Sequence, residues 1–252
     1  NLLNEAAILC ARDNRTQISM EDLYEGINKV VMGPQKKSRL VTEVDKRITA
    51  YHEAGHAIVA RLEPMCGPVH EVSIIPRGQA AGYTMTRPDT DDDHITIGKL
   101  KANLAMSMGG RAAEELVIQD ITTGAVGDIK SATDIARKMV MEWGMSELGP
   151  VYYGSNQEVF LGRDYQSTHT YSESIATKID AAVAKLVENA HKEAVKMLTE
   201  HREVMDCMVR LLIERETIYS EEVDMIMEGK PYEEVRDALD ARLNKKYNNK
   251  TA

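Results

Sequence analysis

The chain has 252 residues, 40 acidic against 31 basic, and a formal net charge of −9, a balance that works against a phosphate-backbone partner. With 43% apolar and 28% charged residues it is too apolar for a disordered chain and long enough to bury a sizeable core in one large domain or two smaller ones. Three widely spaced cysteines, Cys10, Cys66 and Cys207, form no CxxC pair, which argues against a thiolate metal site or a disulfide framework and fits a reducing compartment.

The opening NLLNEAAILCARD reads as the inside of a helix rather than a signal peptide, as if cut from something longer. Leu2, Leu3, Ala6, Ala7, Leu9 and Cys10 stand at helical spacing. Ser19 begins a capping box, and Leu23, Ile27 and Val30 continue a second helix that Gly33-Pro34 stops. The polar stretch GPQKKSR, with Lys36, Lys37 and Arg39, reads as a solvated boundary between two units. Thr42 and Asp45 open a helix through about Leu62, ended by Pro64 and Gly67. VHEVSIIP (69–76) and GYTMT (82–86) fit two strands of a small β-ribbon, and PDTDDDH (88–94) an exposed acidic loop. Helical pattern returns over 96–118, with Gly109-Gly110 in its middle. TTGAVG (122–127) leads into a further helix over about 128–142.

The region 143–170 is loop-rich. A long apolar stripe from about 171 to 199 (Ile175, Ile179, Ala182, Leu186) and another over 201–215 (Val204, Met208, Leu211) predict a C-terminal helical hairpin whose stripe is core. The charged segment 231–252 reads as a frayed tail. No apolar run approaches the roughly 18 residues of a membrane span. The fold class that follows is mainly α, with a small β-ribbon beside the helix at 42–62.

The chemistry sits in HEAGH, 52–56. Residues four apart on a helix share one face, so His52 and His56 can converge on one zinc ion while Glu53 reaches a water beside it and acts as general base. Ala54 and Gly55 between them are small and permit another segment to approach closely. The extended HExxHxxGxxH form is absent, because Val59 and Leu62 hold the positions of its Gly and His. A third ligand must come from elsewhere, and spacing alone leaves His70, His94, Glu114, Glu115, Asp120 and Asp128 open. Glu114 and Glu115 follow GGRAA on a helix, as a glutamate ligand would; Asp128 opens a helix after a Gly-rich turn, where its ordinary role is a cap. Two competing readings are an assembly scaffold with an inert metal site, and a monomeric aminopeptidase-like enzyme with a glutamate ligand. A structural zinc takes four protein ligands and has no use for Glu53, which disfavours the first.

HEAGH, VSIIPRGQAAGYT, GGRAAEEL, TTGAVGDIKSATDIARKMV, GMSELGP and VFLGRD, in that order, resemble the FtsH-type AAA metalloproteases over residues 1 to about 228. The resemblance implies a zinc peptidase with His52, His56 and Asp128 as ligands and Glu53 as the catalytic base. Gly127 stands where many members have Asn. Glu114 matches a carboxylate of the GGRxAEE segment and is expected behind an imidazole, orienting it. The strand near Ile74–Thr84 would flank the cleft and offer an edge to an extended peptide. The implied division is the end of an AAA lid over 1–32, a linker over 33–41, the peptidase over 42–230 and the tail over 231–252. Protein substrates, a homo-hexameric ring and a membrane-anchored parent are likewise implied, in the bacterial inner membrane with this part on the cytoplasmic side, or in a mitochondrial or chloroplast membrane. No GxxxxGK[ST] phosphate loop is present, so ATP binding is not expected of these residues.

Overall fold

Two helices, α1 (Leu2–Arg12) and α2 (Met20–Met32), pack against each other at Gly26, where an added Cβ would lie 3.1 Å from Leu2 Cδ1. Ser19 and Asp22 close the expected capping box at the start of α2, and Arg15 grips Asp22 with both terminal nitrogens (2.7 and 2.5 Å). The computed structural model describes residues 2–36, 41–87, 94–154 and 171–251, with backbone alone from 245. Lys37 and Arg39 of the basic run, most of the acidic loop and the VFLGRD segment lie outside the described residues.

The centre is a pair of long helices. α3 (Glu43–Leu62) is capped by Thr42, whose hydroxyl accepts from Asp45 N, and α4 (Ile97–Ile118) by Thr96 in the same way from Lys99 N. From Ala50 to Ala60 every residue of α3 except His52 is buried, so this helix runs through the core rather than over it. The two helices meet at Gly55 and Gly109. A Cβ on Gly55 would fall 2.4 Å from the Gly109 carbonyl oxygen, and one on Gly109 2.7 Å from that of Gly55. The helix backbones therefore touch, as the small residues of HEAGH led one to expect. Glycine within a helix costs about 1 kcal/mol relative to alanine, and close backbone approach is what it supplies in exchange.

β1 (Val69–Ser73) and β2 (Tyr83–Thr86) pair antiparallel as expected, with Val72 opposite Thr84. The ribbon is nevertheless three-stranded: β3 (Thr217–Tyr219) adds to the other side of β1, with Val72 opposite Ile218, giving the order β2-β1-β3. Both inner residues are fully buried. β2 thus stands at an edge of the sheet.

Behind this framework lie α5 (Val126–Met141), α6 (Glu173–Glu200) and α7 (Arg202–Arg215). The expected hairpin of the last two is a corner instead. The chain turns at His201, α6 packs along α4 and α5, and α7 packs on α3. Each apolar stripe has its own partner, so the two helices have little left to offer one another. After α8 (Ser220–Met227), the segment expected to fray is helical too, forming α9 (Tyr232–Thr251). Val235 and Leu239 of α9 are fully buried, and Arg215 binds Asp240 through Nε and Nη2 (2.7 and 2.8 Å).

The α1–α2 pair is tied to the sheet side of the molecule. The Arg77 side chain, fully buried, donates to both carboxylate oxygens of Glu25 (3.0 and 2.7 Å), and Asn28 reaches Glu71 (3.3 Å). Lys36 N donates to Pro76 O and Gly78 N to Pro34 O, so the stretch after α2 runs beside the β1–β2 connection. Gly78 needs its glycine there: φ is +51°, and a Cβ would lie 2.3 Å from Met32 O.

Candidate metal centre

One turn of α3 brings His52 and His56 to a common side, with ring centroids 4.7 Å apart and planes at 79°. The ring nitrogens are sorted by their surroundings. His56 Nδ1 lies 2.7 Å from the carbonyl oxygen of Met106, a group that can only accept, so Nδ1 carries the proton. His52 Nδ1 lies 2.8 Å from Glu114 Oε1 and likewise donates. Both Nε2 lone pairs are then left facing each other at 3.1 Å. Asp128 closes the group, with Oδ2 at 3.2 Å from His52 Nε2 and 3.5 Å from His56 Nε2. Two lone pairs and a carboxylate oxygen at this separation repel one another unless a proton or a metal cation stands between them. His52, His56 and Asp128 are the group able to hold a metal ion among the described residues.

The electrostatics point the same way. Burial works against a charged His52, yet its bonds to Asp128 and Glu114 and the nearby charge of Glu53 outweigh this, and its pKa is pushed up to about 10. Burial opposes ionisation of Asp128 too, but the two imidazoles hold its carboxyl below the usual range. Three carboxylates around two rings make a site that demands positive charge. A proton can meet that demand, and so can a divalent cation.

Asp128 reaches the site because α5 begins at Val126 after a tight turn over Thr123–Ala125. The cap position belongs to Ala125, which makes no side-chain cap bond. The ordinary capping role weighed for Asp128 is therefore not what it does. Glu114 has both oxygens engaged behind His52: Oε1 with the imidazole, Oε2 accepting from Thr122 N (3.0 Å) and Thr122 Oγ1 (2.9 Å). It is 1% exposed, and these bonds hold its pKa down against burial. Such a carboxylate fixes ring orientation and tautomer and has no oxygen left for a metal. Of the other candidates, His70 lies tilted against Tyr24, while His94, Glu115 and Asp120 are exposed, and none of the four lines the cleft.

Glu53 faces the cleft from the α3 backbone and is 5% exposed. Burial raises its pKa, offset in part by His56 and His52. Its Oε2 accepts from Thr84 Oγ1 at 2.9 Å. The cleft measures about 870 Å³ and is bounded by the histidines, Ile48, Met106, Asp128 and the rim from Gln79 to Thr84. Gly110 leaves room for the rings, since a Cβ there would lie 2.5–2.6 Å from atoms of both imidazoles. Thr84, Thr122 and Gly110 were not singled out from sequence. Only Gly110 carried a signal, as half of a glycine pair inside a helical pattern.

The description "Peptidase family M41" matches residues 39–226. A protein of Thermoanaerobacter sp. named ATP-dependent zinc metalloprotease FtsH 1 is 48% identical over 240 residues, 94% of this chain and 39% of its own length. ATP-dependent zinc metalloprotease FtsH of Veillonella parvula is 47% identical over 226 residues (89% and 35%), and that of Pseudothermotoga lettingae 46% over 238 (93% and 38%). The chain spans little more than a third of the length of these relatives. Since one family description takes in the HEAGH helix, the cleft rim and the helix that carries Asp128, the chain belongs to peptidase family M41.

Proposed function

We propose that this chain is the proteolytic part of an ATP-dependent zinc metalloprotease that hydrolyses peptide bonds of unfolded or membrane-derived proteins. The observation that carries the reading is the triangle of His52 Nε2, His56 Nε2 and Asp128 Oδ2, with sides of 3.1, 3.2 and 3.5 Å. Ligand atoms each roughly 2.0–2.1 Å from a tetrahedral zinc stand about 3.3 Å apart. Two neutral imidazoles and one carboxylate, with a fourth position open to the cleft, are also the donor set of a catalytic rather than a structural zinc.

In this reading His52, His56 and Asp128 hold the ion, and Glu114 keeps His52 in the Nδ1–H tautomer. The chemistry that zinc supplies at such a site is polarisation of a carbonyl and acidification of water. Glu53 takes the proton of the attacking water at a carboxylate oxygen and returns it to the leaving amine. Burial that raises its pKa suits a group that must both accept and release a proton. The free edge of β2 beside the cleft offers backbone groups to an extended peptide, so the substrate aligns as an added strand.

The names of the relatives support an ATP-driven zinc enzyme, and their greater length supports a longer parent. The division into a lid part over 1–32, a linker over 33–41 and a peptidase over 42–230 belongs to the same proposal, with α9 joined to the peptidase through Val235 and Leu239. So do a homo-hexameric assembly, protein rather than nucleic-acid partners, and a membrane-anchored parent whose proteolytic part faces the bacterial cytoplasm. Among the described residues no helix is long and apolar enough to cross a membrane. The test is cleavage of an unstructured protein substrate. Activity is expected to stop on metal chelation and to return with added zinc ions; cleavage indifferent to the chelator would remove the reading.

A further inference from the structure

We infer that the edge strand β2 positions the general base, with Thr84 as a positioning residue that acts through Glu53. The inference rests on the role proposed for Glu53 and deepens it. A glutamate side chain ends in a torsion with a broad, roughly two-fold profile, so rotamer preference alone does not aim its carboxylate. Something must hold one oxygen if the other is to face the reacting water. Thr84 Oγ1 does so. Its single proton is shared between Glu53 Oε2 at 2.9 Å and the Glu53 backbone carbonyl at 3.0 Å. The hydroxyl is thereby anchored to the α3 backbone at the same residue whose side chain it restrains. Glu53 itself lines the cleft, so the oxygen that Thr84 does not hold is the one available to a reacting water.

A second contact backs the stem of the side chain. Gly82, just before β2, sits so close that a Cβ would fall 2.9 Å from Glu53 Cγ and 2.7 Å from Ser73 O. The 82–84 stretch therefore confines Glu53 at Cγ and at the carboxylate together. Its own position is fixed by pairing with β1, where Thr84 stands opposite Val72 and Tyr83 opposite Ser73. Among the described residues no strand pairs with the other side of β2, in the sheet order β2-β1-β3. One short strand thus presents an edge to the cleft and clamps the base, so a peptide laid along β2 meets a carboxylate already aimed by the same strand.

The experiment compares Thr84→Val, which removes the hydroxyl at nearly constant volume, with Thr84→Ser, which keeps it. The chain loaded with zinc is assayed on an unstructured peptide, with zinc per chain measured alongside, and metal-free crystals of Thr84→Val report the Glu53 orientation. Thr84→Val is expected to lower kcat about tenfold, a part of the roughly 10²–10⁴ that a positioned base contributes. KM and zinc content stay as in the parent, Thr84→Ser restores most of the rate, and the Glu53 carboxylate in the valine variant is turned or disordered. A valine variant with parental kcat, a loss confined to KM, a serine variant as impaired as valine, or an unmoved carboxylate would each overturn the inference. A parent chain that cleaves nothing would instead sink the peptidase reading, and the carboxylate orientation would still decide this one.

Discussion

Glu53→Gln is expected to abolish peptide cleavage while leaving the metal content unchanged. Glutamine keeps the volume of the buried side chain and can still accept from Thr84 Oγ1, so the surroundings have little reason to move. It cannot take a proton from water. General acid–base catalysis contributes about 10²–10⁴-fold, and a loss of that order should appear in kcat. The triangle of His52, His56 and Asp128 does not include Glu53, so zinc per chain should match the parent. Turnover of an unfolded protein at the parental rate by this variant would strip Glu53 of its role.

Asp128→Ala has the second large effect, on metal rather than chemistry. It removes the one carboxylate of the triangle and leaves two imidazoles, too few to hold a catalytic zinc. Removing an outer partner of a ligand typically costs about 10–100-fold in metal affinity, and removing a ligand should cost more. Atomic absorption after dialysis is expected to find the variant depleted while the parent keeps its ion. The fold should survive, because the side chain caps no helix and its contacts are with the two rings. A variant with undiminished zinc would take Asp128 out of the ligand set.

These two variants separate what the sequence could reveal from what it could not. His52, Glu53 and His56 are legible because helical periodicity converts a spacing of four into proximity without any knowledge of the fold. Asp128 is not legible in that way. It belongs to another helix, and only the turn at Thr123–Ala125 and the packing of α5 aim it at the rings, so residue chemistry alone left it level with five other candidates. The likeness to a known family singled it out, and the geometry gives the physical reason. Glu114 shows the converse. The segment identified it, but its place behind His52 depends on Thr122 occupying its second oxygen, a contact that no pattern announces.

The fold divides along the same line. Long helices were readable: α3 from its opening cap, α4 and α6 from the spacing of their apolar residues. β3 was not, because three residues between two helices give no alternation to count, and the strand exists only through its pairing with β1. The corner at His201 was hidden because two adjacent stripes look alike whether they face each other or different partners. The helix at the C-terminus was hidden by composition. Tyr232, Val235 and Leu239 keep helical spacing, but the charged residues around them suggested a tail.

In the proposed reading one cation joins α3 to α5. An anomalous map collected at the zinc edge from crystals of the metal-loaded chain tests it most directly. The expected result is a single strong peak bonded to His52 Nε2, His56 Nε2 and Asp128 Oδ2, with the fourth side open to the cleft beside Glu53. A map with no peak there, or with the ion bound to Glu114 in place of Asp128, would contradict it.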